Sequence, residues 1–115
     1  MATHRLIVFT EPMPGREDEY NKWYDEVHLK EVLEVDGFVA AQRFELSETQ
    51  AAVGGEPAEP PSRFMAIYEI EADDAQKVLD GLGASAGTMN MSDAMNMAEA
   101  KAFAFTAIGP RVLST

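Results

Sequence analysis

The chain switches its apolar period between two and three-to-four, and that alternation constrains the fold more than any other feature. His4 to Thr10 is short, apolar and β-branched at Ile7 and Val8, the composition of a buried strand. Glu11-Pro12-Met13-Pro14-Gly15 then forbids both ladder and helix. Beyond it, Tyr20, Trp23, Tyr24, Val27 and His28 recur at steps of three and four among Glu17, Asp18, Glu19, Lys22 and Glu26. This is an amphipathic helix with acidic residues in its first turn, where the helix dipole favours them. At about 100° per residue, Leu29 falls on the solvent face. The spacing therefore predicts that the helix ends or bends near His28–Leu29, with Val32, Leu33 and Val35 beginning a separate short turn.

Asp36-Gly37 signals a turn, and Phe38 to Leu46 reads as a long two-faced strand. Phe38, Ala40, Gln42, Phe44 and Leu46 alternate there with Val39, Ala41, Arg43 and Glu45. Ser47 to Ser62 is an acidic connection rich in glycine and proline, expected to be mobile, and long for a hairpin. Arg63 to Ile70 is a third strand with Phe64, Ala66, Tyr68 and Ile70 on one face. A second helix opens at Ala72-Asp73-Asp74, runs through Ala75, Val78, Leu79 and Leu82, and is expected to end at Gly81 or Gly83. Ala84 to Ala100, with Met89, Met91, Met95 and Met97, carries no clear period, and helix is expected only from Ser92 or Asp93. Phe103 to Ile108 is a fourth strand.

The order β-α-β-β-α-β with right-handed crossovers gives an α+β, ferredoxin-like sandwich over residues 1–115. Its antiparallel four-stranded sheet has strand order 4-1-3-2, with both helices on one face. In a chain of 115 residues the other face would stay wet unless a second copy covers it, so a homodimer is expected. The net charge of −11 repels phosphate backbones and anionic lipid surfaces, which argues against nucleic-acid and membrane partners. Without cysteine there is no disulfide, thiolate or Cys-built metal site. No apolar run approaches the ~20 residues of a membrane span, and the first residues lack a signal-peptide layout, so a cytoplasmic protein is expected.

Chemistry concentrates in Trp23-Tyr24-Asp25-Glu26-Val27-His28. A histidine at the rim of an aromatic wall can act as general acid or base near neutral pH. Asp25 could orient it, and the alternative is a histidine that caps the helix C-terminus. Tyr68 could offer its hydroxyl to a phenol or carbonyl oxygen if its face lines a cavity. Arg43 is expected to pair with Glu69 or Glu45. The methionines could fill core gaps or line a cavity. His4 is the only other histidine, so no metal site is expected, and no calcium loop is present. Gly81, Gly83 and Gly87 imitate a dinucleotide loop but are wrongly spaced and follow a helix.

These residues resemble a known family. The run from Glu17 to Phe44, with Trp23-Tyr24, His28-Leu29, Gly37-Phe38 and Arg43-Phe44, is similar to the EthD-like group of the dimeric α/β-barrel superfamily. Phe64 to Glu71 resembles that group's third strand. The resemblance implies a ferredoxin-like protomer whose open sheet pairs with a second copy to form a barrel, and it puts the family's recurrent histidine on His28. Two positions depart from the family pattern: Lys30 stands where proline is common, and Asp36 precedes Gly37 in place of proline. Relatives include proteins tied to ether degradation, anthrone dehydratases, cyclases, lactone isomerases and quinone-forming or haem-degrading monooxygenases.

Two functions follow. One is a cofactor-free lyase, isomerase, cyclase or oxygenase acting by proton transfer on a small aromatic or lactone-like metabolite. His28 would be the catalytic residue, with Trp23, Tyr24 and Tyr68 lining an apolar pocket between the first helix and the open sheet face. The other is a non-catalytic protein that binds a hydrophobic ligand or assists a catabolic pathway. Haem binding would require His28 or His4 as axial ligand.

Overall fold

A computed structural model describes residues 2–55 and 58–115; Glu56 and Pro57, part of the acidic connection, lie outside the described residues, as does Met1. The elements are β1 (Thr3–Thr10), α1 (Glu17–Trp23), a π-helical turn (Tyr24–His28), α2 (Leu29–Leu33), β2 (Phe38–Glu45), β3 (Phe64–Glu71), α3 (Ala75–Ala86), a single 3-10 turn (Met97–Glu99) and β4 (Lys101–Thr106). The strands form one antiparallel sheet in the order β2-β3-β1-β4, the order expected from the crossovers. No helix among the described residues is long and apolar enough to cross a membrane.

The pleat separates two faces. His4, Leu6, Thr10, Phe64, Ala66, Tyr68 and Ile70 are buried and face the helices, packing with Tyr20, Tyr24, Val32 and Val78 into the core. On the other face the ladder places Ile7, Phe9, Met65, Ile67, Phe44, Phe103 and Phe105 side by side. Phe9 and Phe103 meet there edge-on at 6.3 Å, while Phe44, Phe103 and Phe105 remain exposed.

Several boundaries differ from the sequence reading, each for a local reason. The irregularity expected near His28–Leu29 is a π turn rather than a stop: it adds a residue to one helical turn, and α2 follows as a short separate piece through Val32 and Leu33. That rotation brings Leu29 against the core rather than to solvent, and it buries Val32. A β-bulge between Phe38 and Ala40 puts Phe38 opposite Ile70 on the helix side, so Phe38 does not share a face with Ala40, Gln42 and Phe44. α3 runs through Gly81 and Gly83 to Ala86. The ~1 kcal/mol that a helical glycine costs is outweighed by its packed residues Val78, Leu79 and Leu82, and the Asp74 side chain caps the Lys77 N–H at 3.2 Å. β4 begins at Lys101 and ends at Thr106, opposite His4, so Ile108 lies outside the sheet and is fully exposed. Between Ser92 and Ala100 the helical content is the turn Met97–Glu99.

Candidate functional site

The π turn is what assembles the aromatic cluster. In an α-helix, side chains five residues apart point about 140° away from each other. Here the Leu29 N–H donates to the Tyr24 carbonyl five residues back, and the widened turn brings His28 round onto Trp23. The two rings stack at 4.7 Å and 20°, and Tyr24 meets the His28 imidazole edge-on at 5.1 Å. Trp23 and Tyr24 contact each other at 5.2 Å.

His28 is only half-buried as a residue, yet its Nδ1 is shielded from solvent and has no hydrogen-bond partner among the described residues. Burial pushes its pKa below the ordinary imidazole value, opposed by the nearby charge of Glu31. The neutral imidazole is thus the resident form at pH 7. The helix continues past His28, and the imidazole is held by its aromatic neighbours rather than at a helix C-terminus. Asp25 does not orient it. That carboxylate accepts from Arg43 instead, at 2.9 Å.

Arg43 is the second organiser. From β2 its guanidinium lies 4.5 Å over the Tyr24 ring and 5.2 Å over Tyr20, and it donates to Asn21 Oδ1 at 2.8 Å. The expected pairing with Glu69 or Glu45 is not formed. Glu69 lies on the opposite face, where it binds Arg5 at 3.1 Å, and the rings and Asn21 draw Arg43 toward α1.

Tyr68 lies beneath this cluster on β3, fully buried, edge-on to Phe38 at 6.0 Å. Its hydroxyl has no hydrogen-bond partner among the described residues. Burial, and next the adjacent Tyr24 hydroxyl, hold the phenol protonated well above the usual tyrosine range. Tyr24 is raised chiefly by burial as well. Tyr20 instead satisfies its hydroxyl with Thr10 Oγ1. Because a buried, unpaired hydroxyl costs about 1–3 kcal/mol, Tyr68→Phe is expected to raise the unfolding midpoint rather than lower it. Urea denaturation of both proteins checks this, and a clear loss of stability would show that the hydroxyl has a partner in solution.

The structure thus brings His28, Trp23 and Tyr24 together, with Tyr68 buried next to Tyr24 on β3. Tyr24 and Tyr68 are buried on the helix-covered face rather than on the open sheet face. A cleft of about 690 Å³ lies elsewhere, between the α2–β2 turn and the start of α3, lined by Glu34, Asp36, Glu71, Asp73 and Lys77 among others. The methionines do not form one lining: Met95 is buried, Met89 packs on the core, and Met91 and Met97 are exposed. His4 is used structurally. Its Nε2–H donates to the Ala72 carbonyl at 3.2 Å, leaving Nδ1 to accept from the Thr106 hydroxyl at 2.9 Å.

Sequence reasoning missed Glu31 and Asn90. The Asn90 N–H donates to both Glu31 carboxylate oxygens at 3.0 Å, and Trp23 Nε1–H donates to the Asn90 carbonyl at 2.6 Å. Glu31 sits three residues after His28, a helical neighbour spacing that could have flagged it; Asn90 has no such local signal.

No protein-family model and no curated protein matches the chain. Solved structures do share its fold. A candidate monooxygenase from Shewanella loihica PV-4 aligns over 100% of this chain and 99% of its own, at 11% identity and a TM-score of 0.56. A single-site variant of MhuD with two manganese protoporphyrin IX molecules per active site aligns over 95% and 98%, at 20% identity and a TM-score of 0.57. A protein of the ethyl tert-butyl ether d (EthD) family from Bacillus halodurans C-125 aligns over 94% and 100%, at 10% identity and a TM-score of 0.45. The first two establish the ferredoxin-like α+β fold, in agreement with the fold that the resemblance of residues 17–44 implied.

Proposed function

We propose that the protein is a homodimeric, cofactor-free catalyst of proton transfer on a small aromatic or lactone-like metabolite, with His28 as general base. The observation that carries this reading is that His28 Nδ1 and Tyr68 Oη are both buried without a clear hydrogen-bond partner among the described residues, on either side of Tyr24. Folding leaves both without partners at a cost in stability, as expected of groups kept for a ligand. A neutral imidazole accepts a proton from an acidic C–H or O–H, and the Tyr68 phenol, held protonated, donates to the oxygen on which charge develops. Trp23 supplies a flat apolar wall. Tyr24 is the buried support that holds His28 and Tyr68 in register.

The dimer rests on the open sheet face, where Phe44, Phe103 and Phe105 are exposed beside Ile7 and Ile67. The face also carries Arg5, Gln42, Glu69 and Lys101, and its exposed aromatic side chains are what a second copy would cover. Relatives in fold lend the reading only their architecture. A porphyrin ligand would have to fall to His28, since both ring nitrogens of His4 are engaged.

The test is product formation from a panel of phenols, naphthols and aryl lactones, followed by chromatography with mass detection. Wild type is expected to convert at least one compound and His28→Ala none, with circular dichroism unchanged. Equal conversion by the folded variant removes His28 from the mechanism. Binding without conversion would favour the non-catalytic ligand carrier, and a Soret band on adding hemin that His28→Ala abolishes would favour haem binding.

A further inference from the structure

Between α3 and the 3-10 turn at Met97, the chain passes the helix at Trp23 and Glu31 as a strap, irregular from Met89 to Asp93. Its ends are anchored on other elements. Met89 N–H donates to the Ala86 carbonyl at 3.3 Å, Met13 N–H donates to the Ala94 carbonyl at 2.6 Å, and Asn96 N–H donates to the Glu11 carbonyl at 2.8 Å. Between these anchors Asn90 meets the helix. Its N–H is shared between the two Glu31 carboxylate oxygens at 3.0 Å each, its Nδ2–H donates to Glu31 Oε2 at 3.1 Å, and its carbonyl accepts from Trp23 Nε1–H at 2.6 Å. An outer tie joins the Arg16 guanidinium to Asp93 at 2.7 Å, with both side chains exposed.

Trp23 and Glu31 stand five residues before and three residues after His28, so the clasp grips the helix on both sides of the imidazole. We infer that the strap from Met89 to Asp93 gates access to His28, and that Glu31 is the positioning residue that holds it shut. This rests on His28 being the reactive group of the site. The grip is mostly on main-chain atoms of Asn90, so it fixes the strap's path whatever the Asn90 side chain does. The clasp residues are polar and partly wet, and their bonds exchange for water when the strap lifts, whereas Met89 keeps its contact with the core. Glu31 is also the charge that opposes the burial-driven fall of the His28 pKa, so one carboxylate both closes the gate and acts on the group behind it.

The test uses diethyl pyrocarbonate, which modifies accessible neutral imidazoles and requires no substrate. In Glu31→Ala three of the four clasp bonds are gone, and His28 is expected to be modified about tenfold faster than in wild type. His4, buried with both nitrogens bonded, serves as the internal reference and keeps its rate. Glu31→Gln, which keeps an acceptor but loses the charge, is expected to fall between the two and serves if the alanine variant does not fold. Hydrogen exchange of the Asn90 amide is expected to rise in the same order. Faster Asn90 exchange with an unchanged His28 rate would show that the strap is not the gate, and no change in either would show that Glu31 does not hold it. Neither outcome bears on whether His28→Ala loses turnover, so failure of the gate and failure of the proposed chemistry are distinguishable.

Discussion

Aspartate in place of Phe103 is expected to dissociate the proposed homodimer, so that the variant sediments as a monomer at concentrations where a paired wild type does not. Phe103 sits in the middle of the open face, paired with Ile7 across the ladder and edge-on to Phe9. In the isolated chain its side chain is 48% exposed, so a carboxylate there costs the protomer little. Inside a sheet-to-sheet interface the same carboxylate would be buried among Ile7, Phe9 and Phe105, with Arg5 of that face already paired to Glu69. A penalty of about 3 kcal/mol or more raises the dissociation constant roughly a hundredfold. Circular dichroism is expected to stay unchanged. If the variant remains dimeric at micromolar concentration, the copies associate through some other surface.

Gly37→Ala is expected to be the most damaging single methyl in the chain. Gly37 ends the α2–β2 turn at φ +101°, a region that side chains rarely adopt, and a Cβ there would come within 2.5 Å of Val78 Cγ2. Backbone strain and overpacking each cost about 1–3 kcal/mol, for a combined loss of roughly 2–4 kcal/mol. For a domain of this size that lowers the melting temperature by about 10–15 °C. Adding Val78→Ala removes the clash but not the strain, so the double variant is expected to lose less than the sum of the two single changes. A Gly37→Ala protein within ~0.5 kcal/mol of wild type would mean that neither the left-handed backbone at Gly37 nor its close approach to Val78 holds in solution.

The path from strand to helix to strand was legible because burial imposes its period directly: two for Phe64, Ala66, Tyr68 and Ile70, three and four for Tyr20, Trp23 and Tyr24. Where a fixed period breaks, the reading failed. A constant 100° step places Leu29 toward solvent because one residue too many in the turn is invisible to it. Strict alternation likewise places Phe38 with Ala40 and Phe44, because it does not see the bulge after Phe38. The candidate site was half legible. Trp23, Tyr24 and His28 announce themselves as a cluster, and Tyr68 by its strand face. That Tyr24 and Tyr68 would be buried to about 1% exposure depends on how closely α1 sits on β3, which no local pattern encodes. Arg43 reached across to Asn21 and Asp25, and Asn90 to Glu31, because the topology brought distant segments together.

The sign of the His28 titration follows from its surroundings. Its folded pKa is depressed, so the native state resists taking the proton that the unfolded chain accepts near pH 6.5. The stability this histidine contributes is therefore present above about pH 6.5 and is lost as pH falls from there through its lower folded value. Following the imidazole carbon-bound protons of both histidines by NMR against pH, with and without a phenol that the panel identifies as a ligand, puts the reading of the site to its most direct trial. We expect His28 to titrate below a free imidazole and its resonances to move when the phenol binds, with Tyr68→Phe weakening that response. A His28 that titrates at or above the free value, and stays unmoved by every compound that binds, would contradict the account.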